Sequence, residues 1–360
     1  MSEKELSMQG MPKYYSTKLL RAVARFLAKS FWLEEKKFCK ERVKKILFIQ
    51  LYGIGDYLMS TPAIRAICGE FPKAEKTLYC KPASKEVAEL NHFLDKIAAK
   101  KPEEHFDLVV SLNDSAEASF ITRELNPKYV LGFLKGQRVF ANFKTPALKA
   151  SDENPWIENY LLIAKAIGCR IESKDYVLGV EKSKKVEAIL KKERLSKFVI
   201  LNPNTREGAE AKNWGNANFA TLAGFLLKRK IPVVFCGAAG ESGSRETTSL
   251  VTENGKIMDL TGKLGLKETA FLISKAKAFI GNDTGLMHIA LAVKCPTIGI
   301  FGPTESRILF PKAKKAFAFQ ARNKEWPCYS RGTFDVKPRQ DFMDTITPEA
   351  VFKKARELMK

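Results

Sequence analysis

The chain has 360 residues, 45% of them hydrophobic, enough to bury a substantial core and to build two domains. Its formal net charge is +21, from 61 Lys and Arg against 40 Asp and Glu, and such a surplus attracts polyanions: nucleic acid, an anionic membrane or a phosphorylated substrate. Seven cysteines without C-x-x-C spacing argue against a disulfide framework or a zinc site, and fit a reducing cytoplasm. No apolar stretch reaches the roughly 18–20 residues of a membrane span, and the N-terminus lacks the apolar core of a signal peptide. Zinc-finger spacing, an RNP-type aromatic motif and an Arg-rich block are all missing, so nucleic acid is not the expected polyanion.

Residues 1–41 read as a basic amphipathic helical extension. In KLLRAVARFLAKSFWL, Leu19, Leu20, Val23, Phe26, Leu27 and Phe31 recur at helical spacing. Lys18, Arg21, Arg25 and Lys29 fall on the opposite face. That distribution suits an anionic membrane surface; the alternative is a helix packed on the body of the protein with its lysines solvated.

A first domain is expected over 42–175. It opens with VKKILFIQLYGIGDYLMSTPAIRAI, in which a buried strand from Ile46 to Leu51 runs into a turn and then a helical pattern. Further strands are expected at 76–80, 106–112 and 128–133, with helical stretches between them and another at 155–168. This alternation predicts a mostly parallel sheet covered by helices. Gly53 and Gly55 would let the turn bend tightly and approach a ligand on the acceptor side. The sixth position of a G-x-G-x-x-G fingerprint is Leu58, so the dinucleotide motif fails. The turn carries Asp56 at the carboxyl end of the first strand, the edge at which open α/β sheets bind ligands. Asp56 could equally be a helix cap.

A second domain is expected over 176–360, with strands at 198–204, 231–237, 276–282 and 295–302 and helices at 216–229, 265–275 and 285–293. The last helix is a candidate to pack back on the first domain. Three polar turns follow its strands. NPNTREGAEAKNW carries Asn204, Thr205, Arg206 and Lys212; FCGAAGESGSRE is Gly-rich; GNDTGLMH brings Asp283, Thr284, Gly285, Leu286 and His288. A helix start with free N–H groups binds phosphate, and a nearby lysine would neutralise a diphosphate further. Each turn alone is weak evidence, and His288 alone reads as a core histidine. Their common place after successive strands predicts a phosphate site.

Three blocks carry a family resemblance: ILFIQLYGIGDYLMSTPAIRAI, LNPNTREGAEAKNW and LTGKLGLKETAFLISKAKAFIGNDTGLMHIALAVKCPTIGIFGPTE. In this order they are similar to glycosyltransferase family 9, the ADP-heptose-dependent lipopolysaccharide heptosyltransferases. The resemblance implies an α/β GT-B architecture: two Rossmann-like doubly wound domains facing a cleft, here with the extra N-terminal amphipathic helix. It implies an acceptor site mainly in the first domain and a donor site mainly in the second. By motif, Asp56 resembles the catalytic base, with Gly53 and Gly55 in the acceptor-side loop. Asn204, Thr205, Lys212, Asp283, Thr284, Gly285, Leu286 and His288 resemble the donor site. The chain departs from the family pattern around Lys212, where REGAEAKNW is longer, and in the later segment, which keeps only Cys328. Residues 1–41 fall outside the resemblance.

The resemblance implies inverting transfer of a heptose or related sugar from an ADP-sugar to a lipid-linked oligosaccharide acceptor of the lipopolysaccharide inner core. A carboxylate would take the acceptor proton, and Lys212 with the helix start would stabilise the departing ADP. No D-x-D pair is present to hold a metal on the diphosphate, and no cofactor is expected. The expected location is cytoplasmic and peripheral, on the inner face of the cytoplasmic membrane. Two alternatives stand beside this reading: a nucleotide-sugar epimerase of the same architecture, and a non-catalytic membrane- or polyanion-binding protein.

Overall fold

The computed structural model describes residues 36–360, apart from 135–137, 147, 152, 206–207, 323–328, 331–332 and 335–339. The amphipathic segment read over residues 18–31 lies outside the described residues, as do Arg206 and Cys328. The described part of the extension is docked. Lys36 N donates to Asn142 O (2.8 Å), and the Phe38 ring stacks on Phe143 at 4.2 Å between ring centroids.

The first half is built on a six-stranded sheet. Its strands are β1 (Lys45–Gln50), β2 (Glu75–Cys80), β3 (Lys96–Ala98), β4 (Leu108–Ser111), β5 (Tyr129–Leu134) and β6 (Arg138–Ala141), in the order β3-β2-β1-β4-β5-β6. All neighbours are parallel except β5 and β6. The central strands are continuous apolar runs because helices cover both faces of a parallel sheet: every residue of β1 after Lys45 is buried. The helices are α1 (Ile54–Glu70), α2 (Pro82–Ala88), α3 (Ala116–Leu125) and α4 (Trp156–Ala166).

A connecting segment, residues 167–183, leads to the second half and stays against the first as far as Gly179. Arg65 donates to Ser173 O (2.7 Å), Val177 N to Thr61 Oγ1 (2.9 Å) and Gly179 N to Leu90 O (3.0 Å).

The second half repeats the winding. After α5 (Lys184–Lys192) come β7 (Val199–Asn202), α6 (Asn216–Lys228), β8 (Val233–Phe235), α7 (Gly243–Leu250) and β9 (Ile257–Asp259). Then follow α8 (Leu266–Lys275), β10 (Ala278–Asn282), α9 (Gly285–Ala292), β11 (Thr297–Phe301), α10 (Ser306–Leu309) and β12 (Ala316–Gln320). The sheet order is β12-β11-β10-β7-β8-β9, all parallel. Counted from the first strand of each half, both sheets have the order 3-2-1-4-5-6. In each, the order reverses beside the first strand, between β1 and β4 and between β7 and β10. Ligands of open α/β sheets bind at that crevice.

The final helix α11 (Pro348–Leu358) corrects an expectation. It does not return to the first half but packs on α6, with Phe352 against Phe225 at 5.4 Å between ring centroids. The chain before it is tied down by Trp214, whose indole N–H donates to Ile346 O (2.8 Å).

The halves meet through side chains, not only through the connection. One apolar cluster runs from Ile64 and Leu90 of the first half to Ile273 and Ile289 of the second. At its edge Glu86 accepts a hydrogen bond from Leu266 N (2.8 Å), the first residue of α8, and Lys267 pairs with Glu89 (3.0 Å). A carboxylate at a helix start meets the positive end of the dipole.

Candidate active site

On the first half, β1 ends at Gln50 and α1 begins at Ile54, so residues 51–53 form a short turn at the switch point. Asp56 stands in the first turn of α1, half-buried, and its carboxylate accepts from Gly53 N (3.3 Å). Gly53 holds the N-cap position, so Asp56 is not itself the N-cap; it reaches back from the first turn to the Gly53 amide. Burial, and less strongly Asp283, raise the Asp56 pKa, the Gly53 hydrogen bond and Lys212 act the other way, and the net is about 6. A group on the first half thus feels two charges on the second.

The turn before Asp56 rests on a buried polar cluster. Gln50 Oε1 accepts from Asn113 Nδ2 (2.7 Å) and from Tyr52 N (3.3 Å), while its amide lies 3.4 Å from both Asp56 O and Tyr160 OH. Asn113 Oδ1 in turn accepts from Leu51 N (2.5 Å).

On the second half, Lys212 ends a short 3-10 turn, Glu210–Lys212, and its ammonium donates to Asp283 Oδ2 (2.7 Å). Thr304 Oγ1 donates to the same oxygen (2.9 Å), and His288 Nε2 lies 3.9 Å from Oδ1. Burial acts to raise the Asp283 pKa, but Lys212, His288 and the two hydrogen bonds outweigh it and hold the carboxyl below its ordinary value. Burial pushes His288 down to about 4, so its ring is neutral near neutral pH. The loop carrying Lys212 is held by Asn282 at the end of β10, which accepts from Trp214 N (3.1 Å) and donates to Pro203 O (3.1 Å).

Thr284 holds the N-cap position of α9 without a side-chain cap bond, and Gly285 and Leu286 begin its first turn. Two buried atoms here, Thr284 Oγ1 and His288 Nδ1, have no hydrogen-bond partner among the described residues. Asn204 is placed differently. Its amide donates to Ser244 Oγ (2.9 Å) and accepts from Ser244 N (3.2 Å), so its side chain clamps the start of α7. Thr205 follows it, partly exposed.

The glycines of the acceptor-side turn need a revised reason. Gly55 lies inside α1, and a Cβ there would come within 2.7 Å of His288 Cδ2. Its bareness admits the histidine ring of the other half, not a ligand. Tyr176 of the connecting segment lies beside the same ring, 6.0 Å between centroids. Gly53, at φ −79° and with no neighbour closer than 3.8 Å to a Cβ, has no steric need to be glycine. Asp56, Lys212, Asp283 and His288 are therefore brought together, with Thr284, Gly285 and Leu286 at the adjoining helix start. Gln50, Asn113, Tyr160 and Thr304 were missed from sequence. Asn113 carried a signal, a polar residue directly after an apolar strand at the same sheet edge.

Residues 97–336 match the sequence family described as glycosyltransferase family 9 (heptosyltransferase). The chain belongs to glycosyltransferase family 9. It is a glycosyltransferase. Among curated relatives, lipooligosaccharide heptosyltransferase 2 of Haemophilus influenzae is 26% identical over 344 residues, covering 87% of this chain and 99% of the relative. Lipopolysaccharide heptosyltransferase 2 of Salmonella typhimurium is 24% identical, over 76% of this chain and 86% of its own. Among solved structures, a family 9 glycosyl transferase from Veillonella parvula superposes with a TM-score of 0.71 at 17% identity, covering 88% and 97% of the two chains. The E. coli ADP-heptose lipopolysaccharide heptosyltransferase II gives 0.67 at 19% identity, covering 88% and 98%. The transferase thus has the GT-B fold, two parallel-sheet units facing each other. Among its described residues no helix is long and apolar enough to cross a membrane.

Proposed function

We propose that this transferase moves a heptose from ADP-heptose to a lipid-linked inner-core acceptor of lipopolysaccharide, with inversion at the anomeric carbon. The observation that carries the reading is the meeting of the two switch points. Asp56, from the first, shares an electrostatic environment with Lys212 and Asp283, from the second. The names of the curated relatives supply the sugar and the acceptor class.

In the proposed step the acceptor hydroxyl oxygen bonds to C1 of the sugar while its proton passes to Asp56. The bond between C1 and the diphosphate oxygen breaks, and ADP leaves with the electron pair. Lys212 and the N–H groups at the start of α9 meet the negative charge that develops on the diphosphate. No metal ion is assigned a part in this step. Attack opposite the leaving group inverts the centre. Asp283 holds the Lys212 ammonium in place and, with Thr284 and His288, lines the sugar side. The first half would take the acceptor and the second the donor, and an anionic membrane surface would present the lipid anchor to a strongly basic protein.

The test incubates the full-length protein with ADP-heptose and a purified lipid-linked inner-core acceptor, with and without EDTA. The expected result is one ADP released per heptose added, an inverted linkage by NMR, and no effect of EDTA. Conversion of the donor without any acceptor would point to epimerase chemistry and overturn the assignment.

A further inference from the structure

The two halves repeat more than their strand order. Each places an Asn-Asp pair just beyond its fourth strand: Asn113-Asp114 after β4, and Asn282-Asp283 at and after the end of β10. The asparagine does the same work twice, holding the backbone of the loop that follows the half's first strand. Asn113 accepts from Leu51 N (2.5 Å), and Asn282 accepts from Trp214 N (3.1 Å). The aspartate also repeats, taking a side chain of that loop. Asp283 takes the Lys212 ammonium (2.7 Å); Asp114 takes the Tyr52 hydroxyl (2.8 Å). Tyr52 thus partners the aspartate of the first half as Lys212 partners that of the second.

Among the described residues, Tyr52 is also one of the few large hydrophobic residues left exposed, at 37%. It lies four residues before Asp56, at the mouth of the first crevice. Both ends of the residue are fixed, the backbone by Gln50 (3.3 Å) and the hydroxyl by Asp114. An aromatic ring with its polar end tied offers a large apolar surface with little conformational freedom left to lose on binding. The axial C–H face of a pyranose is the complementary surface. Its hydroxyls stay at the rim, one of them within reach of a carboxylate on the neighbouring turn.

Resting on the functional reading above, we propose that Tyr52, held by Asp114, is the platform on which the acceptor sugar carrying the reacting hydroxyl stacks. Lys212 meets the diphosphate of the donor; Tyr52 meets the ring of the acceptor. The platform sets acceptor recognition and takes no part in proton transfer.

The experiment compares the full-length wild type with Tyr52→Ala, Tyr52→Phe and Asp114→Asn. It measures kcat and KM for the lipid-linked acceptor, the ADP Kd by calorimetry, and thermal unfolding. Tyr52→Ala should raise the acceptor KM about tenfold, the scale of one lost ring contact, with the ADP Kd unchanged. Tyr52→Phe keeps the ring and loses the tether, as Asp114→Asn weakens it, so each should raise the acceptor KM by less. An acceptor KM within twofold of wild type in Tyr52→Ala overturns the proposal. So does a fall confined to kcat, which would make Tyr52 only a support for the Asp56 turn. A wild type that transfers nothing to the acceptor brings down the functional reading and the platform with it; an active wild type indifferent to Tyr52→Ala brings down the platform alone.

Discussion

Asp56 is held in two opposed ways, and the opposition has a measurable sign. The Gly53 amide and Lys212 favour its carboxylate, whereas burial and Asp283 disfavour it, and the balance leaves a pKa of about 6 against an ordinary 3.8. Turnover of the free enzyme should therefore fall as pH drops through about 6, as the base takes up a proton. Stability runs the other way. Between pH 3.8 and 6 the folded chain holds a proton that the unfolded chain has released. Ionised Asp56 thus costs stability above about pH 6, a cost removed as the pH falls below the unfolded value. Asp56→Asn keeps an acceptor for the Gly53 amide and has no charge to bury. It should lower turnover by about 10²–10⁴-fold. It should also melt higher than wild type at pH 8, with the gain shrinking below pH 6 and gone by about pH 4. Near-normal turnover would reduce Asp56 to its helix-start contact with Gly53; an unchanged melting temperature at pH 8 would reject the buried-charge account.

At the scale of elements, the interior of each sheet was legible and its borders were not. Strands expected at 46–51, 76–80, 106–112, 128–133, 198–204, 231–237, 276–282 and 295–302 each overlap an observed strand, to within two residues at either end. Within these two sheets the four missed, β3, β6, β9 and β12, are outer strands; the short pairing of Tyr329–Ser330 with Thr333–Phe334 was missed as well. β3 and β9 are three residues long, and β3, β9 and β12 are only partly covered, so they lack the apolar run that marks a strand buried on both faces. The candidate site divides likewise. Asp56, Lys212 and Asp283 were readable because polar residues interrupt apolar strands at one edge. Gln50, Tyr160 and Thr304 act through partners distant in sequence, which local pattern does not reveal. Gly55 was legible as a close approach, but not as to what approaches. That distinction can be tested with Gly55→Ala. Helix propensity alone predicts a gain of up to about 1 kcal/mol. A Cβ placed 2.7 Å from the buried His288 ring predicts a loss instead, about 1–3 kcal/mol for an overpacked contact, with reduced turnover. Thermal unfolding of the variant decides by sign.

For the whole molecule, the question is how a protein of net charge +21 would meet the lipid-linked acceptor proposed for it. Residues 36–39 belong to the folded body, through Phe38 on Phe143 and Tyr129 and through Lys36 N on Asn142 O. A truncation that respects this removes residues 1–35 and leaves Phe38 in place. The shortened protein should melt like the full chain and keep its ADP affinity. Its binding to vesicles containing anionic lipid should drop, and binding by the full chain should weaken with added salt, as screened charges do. Vesicle binding unaffected by the truncation would move the membrane contact to the body of the protein.

The same winding, 3-2-1-4-5-6, occurs twice along the chain, with the proposed proton acceptor on one copy and the proposed leaving-group cradle on the other. The two specificities are then separable in heredity as well as in space. On the proposed assignments, changes at Tyr52 or Asp114 would alter which glycan is extended without touching the nucleotide, and changes around Lys212 would alter the nucleotide and spare the glycan. A recombination joint in residues 167–183 would exchange one partner whole, provided that the incoming half matches the contacts between the halves, the apolar cluster and the Glu86 and Glu89 pairs among them. The incoming half must again present a bare α-carbon to the His288 ring, and Gly55 is the seam that such a chimera has to match.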